Sequence, residues 1–456
     1  MNETGKLKGS LKLWQVVILG LGYLTPMTVY DSFGIVSGDT GGFVPTAYIL
    51  ALIAMLFTAY SYGKMVQVIP DSGSAYTYTQ KTISPHLGFL VGWSSLLDYI
   101  FLPMVNALLT KIYLAAIFPG VPTWLWVILF VAGVTTINLL NVTKVANFNT
   151  IFVLFQILVM VFFVLLAARD LTHGTGYGEV FTIQPFFSPD MKFSSLVAGA
   201  TVLCFSFLGF DAITTLSEET REAKKNIPRG IFLTALLGGM IFITVSYFTQ
   251  ALFPDLSPFH NPEAPSPEIA LYTGGKLFQS IFLAGTFMGT IASGIASHTS
   301  VSRLLYAMGR DGVLPKRQFS YVHPKWGSPA FNVILVGAIS LVAIFINLEI
   351  AFALINFGAL IAFSFVHLSV IAHYAVRHRM HQTIRGFFQY VLIPLIGAFF
   401  ITVLWFNLKA SALMIGLTWS AIGIIYLLYL TRMFRTPPPQ YSLDKSTDEI
   451  KNEGLI

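Results

Sequence analysis

A single cysteine, Cys204, in 456 residues excludes a disulfide framework and a thiolate metal site. Charge is equally scarce. Only 11% of residues are Asp, Glu, Lys or Arg, against about 25% in soluble domains. With 55% hydrophobic residues and a mean hydropathy of +0.71, a soluble globular protein is excluded. There is no His-Glu-x-x-His helix, no Gly-x-Ser-x-Gly elbow and no appended soluble signalling domain. The signatures of a membrane-embedded enzyme or sensor are therefore missing, and the residues imply no cofactor.

What the chain has instead is long apolar runs. A helix crosses the hydrocarbon core with about 20 apolar residues, and it satisfies its own backbone polar groups on the way. Twelve runs predict an all-α polytopic membrane protein with 12 transmembrane helices: Trp14–Ser37, Val44–Val68, His86–Phe118, Trp124–Leu140, Phe148–Ala168, Ser195–Ser217, Gly230–Phe253, Leu277–Met308, Phe331–Ile346, Ile350–Val376, Phe387–Phe406 and Ala412–Leu430. Basic residues precede the first run, as in a signal peptide. It is long, however, interrupted by Gly20, Gly22 and Pro26, and lacks a small-residue cleavage site, so it reads as a retained helix.

The net charge of +6 invites a nucleic-acid reading, but its placement rejects one. Basic residues gather in alternate loops: Lys6, Lys8 and Lys12; Lys81 and Lys144; Arg221, Lys224, Lys225 and Arg229; Arg303, Arg310, Lys316, Arg317 and Lys325; Arg377, Arg379 and Arg385; Arg432 and Arg435. This positive-inside pattern puts both termini in the cytoplasm. The opposite loops carry Asp39, Asp170, Glu179, Asp190, Asp255, Glu263, Glu268 and Glu349, whose field enriches cations at the entrance. Two outward connections, Asp170–Ser194 and Pro254–Gly275, are rich in Gly, Pro and Ser and are candidate lids.

Three acids, Asp31, Asp98 and Asp211, fall inside the runs with no basic residue beside them. A carboxylate near the bilayer centre costs roughly 2.5–3.5 kcal/mol on insertion scales, and marks a cation or proton pathway. Two of the three follow an interruption. In the first run Pro26 removes a backbone donor between the glycines 20, 22 and 34; in the sixth, Ser206 and Gly209 sit near mid-depth, just before Asp211. Runs one and six are five apart, as the discontinuous helices of a five-plus-five inverted repeat would be. The competing reading is a proline kink in one helix and a packing glycine in the other.

Several segments also resemble a known family. Gly73–Tyr78 (Gly-Ser-Ala-Tyr-Thr-Tyr), Phe205–Asp211 (Phe-Ser-Phe-Leu-Gly-Phe-Asp), Ser217–Thr220 with Ile227–Arg229, and Ser302–Gly312 are similar, in order, to motifs of the amino acid–polyamine–organocation transporter superfamily. Leu24–Thr28, Gly92–Tyr99, Val145–Thr150, Tyr321–Trp326 and Leu354–Leu360 resemble its putrescine-importing bacterial members. The resemblance implies the LeuT-like five-plus-five fold with discontinuous helices 1 and 6. It divides the chain into a cytoplasmic N-terminus (1–13), a transport core of helices 1–10 (14–376), helices 11 and 12 (377–430) and a cytoplasmic tail (431–456). It further implies polyamine uptake across the inner membrane with proton coupling, Phe205 as an aromatic gate and Asp211 as the acid of the sixth helix. Two departures stand out. Amino-acid carriers of the superfamily have Gly-Ser-Gly at the first break, where this chain reads Pro26-Met27-Thr28-Val29 followed by Asp31. Some proton-coupled members have a lysine in the fifth helix, where this chain has Gln156.

A helix N-terminus at a break favours anions, which suits an amino acid; Asp31 near that spot would repel a carboxylate and attract an ammonium. An extended diamine presents two ammonium groups, so Asp211 is expected at one end and Asp98 or Asp31 at the other. Tyr30, Tyr99 and Phe205 offer cation–π faces of roughly 0.5–2 kcal/mol each; Ser206, Thr25 and Thr28 offer acceptors, and Gly209 loosens the backbone. Each has a plainer alternative: Asp31 as a helix-start residue, Asp98 bonded to a neighbouring helix, the aromatics as packing. His298 and His367 read as hydrogen-bonded core residues. Asp98 and Asp211 are the proton-coupling candidates, since one carboxylate can carry a proton in one state and substrate in another. The expectation is a secondary transporter for putrescine or a similar small diamine, working by alternating access among membrane lipid with no nucleic-acid partner and no implied oligomer. The alternative is a cationic amino-acid permease or an amino acid/polyamine exchanger.

Overall fold

The computed structural model describes residues 11–70, 74–139, 145–262, 264–324, 326 and 328–439. Lys6, Lys8, Lys144, Glu263, Lys325 and the tail beyond Pro439 lie outside them. Among the described residues the chain is helical with no strand; an isolated bridge joins Leu11 to Thr220.

Among the described residues nine helices are long and apolar enough to cross a membrane: Val44–Val68, Pro85–Ile117, Thr150–Thr172, Phe193–Thr214, Ala223–Leu252, Ser266–Arg310, Leu348–Arg377, Ile384–Phe406 and Ala410–Leu430. The pair Leu13–Leu24 and Thr28–Thr40, bent by 47°, makes a tenth, and the shorter apolar helices Thr123–Leu139 and Ala330–Ile344 occupy the remaining two places. Each of the twelve expected runs thus has a helix, and we number them as spans one to twelve in chain order. The sixth span is 94% buried over its apolar window, whereas the eleventh and twelfth are 22% and 17% buried. The sixth is therefore the axis of the bundle, and the last two lie at its lipid-facing edge.

Both expected breaks are present. In the first span the helix stops at Leu24, Thr25 turns to φ +53°, and Pro26 cannot donate to continue the ladder. In the sixth, Phe193–Leu203 tightens into a 3-10 turn, Cys204–Phe207. Leu208 is extended, Gly209 takes φ +112°, and a second 3-10 stretch, Ala212–Glu219, follows. Such a φ suits only glycine.

Two connections carry helix outside the expected runs. The outward connection 254–275 contains the start of a helix, Ser266–Arg310, interrupted only at Gly275. Glu268 in its first turn accepts the backbone N–H groups of His260 and Asn261 at 2.9 and 3.0 Å, folding the loop onto it. On the basic side, Ser74–Thr82 forms a short helix whose Tyr76 donates to Asp311 Oδ2 at 3.3 Å.

Candidate functional site

Spans three and ten meet closely at Asp98. A Cβ added to Gly358 would lie 2.7 Å from the Asp98 backbone nitrogen and 2.8 Å from the Ser94 carbonyl oxygen. Only the smallest side chain lets the two backbones approach so far. Asp98 is 7% exposed and stands in the electrostatic field of Asp211, itself 5% exposed at the break of the sixth span. The Gly209 N–H donates to Asp211 Oδ1 at 3.3 Å. Tyr23, Tyr62 and Tyr99, from the first three spans, stand in the field of both acids. Gly209 also packs on Tyr23, and its missing Cβ would fall 2.9 Å from that ring's Cγ. Among the described residues neither acid has an ion-pair partner.

Asp31 is placed elsewhere. It lies in the first turn of Thr28–Thr40, and its carboxylate accepts the Tyr113 hydroxyl. Tyr113 is fifteen positions beyond Asp98 on the third span, a rise of about 22 Å. The structure therefore puts Asp98 within reach of the Asp211 charge and holds Asp31 apart from Asp98. Beside it, Tyr48 bridges Ser32 and Ser206, 3.1 Å from each hydroxyl. Phe205 stacks on Phe352 with centroids 4.0 Å apart. Tyr30 packs edge-to-face with Phe163 and Phe282, and its hydroxyl has no hydrogen-bond partner among the described residues. The Thr28 carbonyl accepts Ser32, and the buried Thr25 hydroxyl has no partner among the described residues. His298 bonds the Val333 carbonyl at 2.9 Å, and His367 bonds Ser61 at 2.8 Å and Thr58 at 3.3 Å. Both are satisfied core residues.

The first break has few backbone donors to spare. Pro26 has none; Met27 donates to Gln156 Oε1 at 3.5 Å, Thr28 to the Thr25 carbonyl at 2.9 Å and Tyr30 to the Met27 carbonyl at 3.1 Å. Gln156, from the fifth span, thus seats against the break itself. Sequence reasoning missed Tyr23, Tyr62 and Tyr113. Their only signal is a polar hydroxyl kept inside a hydrophobic run, which calls for a partner in an apolar surrounding.

Comparison with known proteins places these features in context. The sequence model of the amino acid permease family matches residues 15–434. A low-affinity putrescine importer of Escherichia coli K12 is 53% identical over 436 residues, covering 96% of each chain. A methylthioribose transporter of Bacillus subtilis is 27% identical over 454 residues, covering 94% of this chain and 95% of that one. Among solved structures, the substrate-bound outward-open state of a Na+-coupled sialic acid symporter aligns with a TM-score of 0.58 at 14% identity, over 89% of this chain and 90% of that one. That likeness is one of fold.

Proposed function

Because the chain belongs to the amino acid permease family, within the amino acid–polyamine–organocation superfamily of membrane transporters, we propose that it imports putrescine or a similar small diamine across the bacterial inner membrane. It does so by alternating access, coupled to protons, with both termini in the cytoplasm. One observation carries this reading: Asp98 is buried in the field of the buried Asp211, and among the described residues no cation pairs with either. Two carboxylates held together in a bundle core call for two positive charges, and a diamine brings both on one flexible chain. The rings of Tyr23, Tyr62 and Tyr99 offer cation–π faces worth roughly 0.5–2 kcal/mol each. The Escherichia coli relative points the same way.

A proton can replace the guest at the same atoms, because an ammonium and a proton each neutralise a carboxylate. An acid that must release its proton before accepting the substrate on one side, and the reverse on the other, ties the two fluxes together. Access from outside is barred by the Phe205–Phe352 stack and, beyond it, by Lys409, which bridges Glu349 at 2.7 Å and Asp39 at 3.5 Å. Access from inside is barred by Tyr62, Phe210 and Phe363, packed ring on ring. Transport parts these layers in turn around the acid pair.

The test is uptake of labelled putrescine into proteoliposomes. Accumulation against a gradient is expected, abolished when the proton gradient is collapsed at fixed membrane potential. Arginine, lysine and ornithine are expected to compete poorly. Competition by these amino acids equal to that of putrescine would make the chain a cationic amino-acid permease instead.

A further inference from the structure

A second feature lies on the outside of the bundle, away from the acids. An open groove of about 440 Å3 runs between the second and seventh spans, at the end of the bundle rich in basic loops. Its floor is the contact of Gly63 with Pro228, where a Cβ on the glycine would lie 3.1 Å from the proline Cβ. Its wall includes Phe232, 40% exposed. At its rim stand Lys64 and Arg229.

Lys64 is a cation inside a hydrophobic span. Its ammonium sits 5.3 Å from the Tyr60 ring centroid and 5.2 Å from that of Tyr390, with Gln389 Oε1 at 3.5 Å. Arg385 adds a further positive charge to its surroundings. Among the described residues no carboxylate pairs with Lys64, Arg229 or Arg385. A charge within a span is costly and is normally paired; here Lys64, with Arg229 at the span end beside it, borders an apolar groove that has no anion among its described lining residues. The missing counter-charge must reach a greasy, lipid-facing surface. A free anion gains nothing from the apolar wall, whereas an anion carrying its own hydrocarbon matches both halves of the groove.

We propose that this groove binds an anionic phospholipid of the cytoplasmic leaflet, its phosphate between Lys64 and Arg229 and an acyl chain along Phe232. The occupant braces the second, seventh and eleventh spans against one another. The proposal stands independently of the substrate carried.

Native mass spectrometry and melting curves on the full chain in nanodiscs test it, with phosphatidylglycerol and phosphatidylcholine as probes. Wild-type protein is expected to retain phosphatidylglycerol over phosphatidylcholine by about tenfold or more, and to melt higher with it. The preference should fall to within about twofold in Lys64→Gln/Arg229→Gln and persist in Lys64→Arg/Arg229→Lys. Equal retention of the two lipids by wild-type protein overturns the proposal without recourse to any variant. So does an undiminished preference in the glutamine variant, or an equal rise in melting temperature from soluble glycerol phosphate, which would make this a small-anion site.

Discussion

Neutralising one member of the acid pair separates substrate recognition from ordinary structural support. In Asp211→Asn the side chain keeps its size and can still accept the Gly209 N–H, but the charge is gone. Without substrate, Asp98 stands in the field of Asp211, and among the described residues no cation pairs with either. Removing one charge therefore relieves repulsion, and the empty protein is expected to melt at a higher temperature. With a diamine bound, the same change removes an ammonium–carboxylate contact. At an effective dielectric near 20 and 4 Å that contact is worth at most about 4 kcal/mol, and losing one partner of a buried charge pair costs about 2–5 kcal/mol. Taking about 2–4 kcal/mol, putrescine binding should weaken by roughly 30- to 800-fold. The control is butylamine, which has the same carbon chain and one ammonium. It can use the carboxylate that remains, so its affinity should change far less, and the diamine's advantage over the monoamine should vanish. Asp98→Asn is expected to behave in the same way. Calorimetric titration of both ligands against wild type and the two variants measures the coupling directly. If the diamine-to-monoamine ratio is unchanged in both variants, the two acids do not hold the two ends of one guest.

Gly209→Ala forces a side chain onto a backbone at φ +112° and into the Tyr23 ring; it is expected to cost about 1–3 kcal/mol from backbone strain alone and to abolish uptake, read by melting and transport together. Tyr113→Phe leaves the Asp31 carboxylate without its donor, so stability should fall by about 1–3 kcal/mol. Putrescine affinity should then move by no more than about twofold, because the pair is remote from Asp98 and Asp211; a large affinity loss in a stable variant would return Asp31 to the binding site. Gln156→Ala frees the Met27 N–H at the first break, and ornithine is expected to become a measurable competitor in uptake assays. Burial holds the Asp311 carboxyl above its usual 3.8, against the opposing pull of Arg310 and the Tyr76 hydroxyl. The native state therefore takes up that proton more readily than the unfolded chain, and stability is lost as pH rises through the interval above 3.8. In Asp311→Asn this part of the pH dependence should disappear and the melting temperature at neutral pH should rise.

How far the sequence reading reached follows from what each signal depends on. Twelve apolar runs mark twelve helices because crossing hydrocarbon demands length and apolarity, and both are local properties. Pro26 and Gly209 mark the breaks for the same reason: a missing donor and a freed φ act on the residue that carries them. The helical start of Ser266–Arg310 and the short helix Ser74–Thr82 escaped because their residues are mixed and their order comes from contacts such as Glu268 on His260 and Tyr76 on Asp311. The tyrosines around the acid pair were hidden for a related reason. A tyrosine is unremarkable in a membrane helix until folding shows what its hydroxyl faces, and Tyr113 finds Asp31 across 82 positions of chain.

That last contact changes the physical reason for proposing an amine rather than an amino acid as the guest. Read from sequence, Asp31 guards the first break, repelling a carboxylate by its charge. In the folded chain its carboxylate is engaged by Tyr113, and the break, Val29 aside, offers an anion few free donors instead. Pro26 offers no donor, and those of Met27, Thr28 and Tyr30 are taken by Gln156, Thr25 and Met27. A helix start attracts an anion through its unsatisfied N–H groups as well as its dipole; once those groups are occupied, a carboxylate brought there would lose its water for little return. Asp98 and Asp211 have no ion-pair partner among the described residues. An amino acid would answer only the second half of this site and strand its carboxylate at the first. A diamine has no carboxylate to place, so the silenced break costs it nothing and the unbalanced acids receive both of its charges.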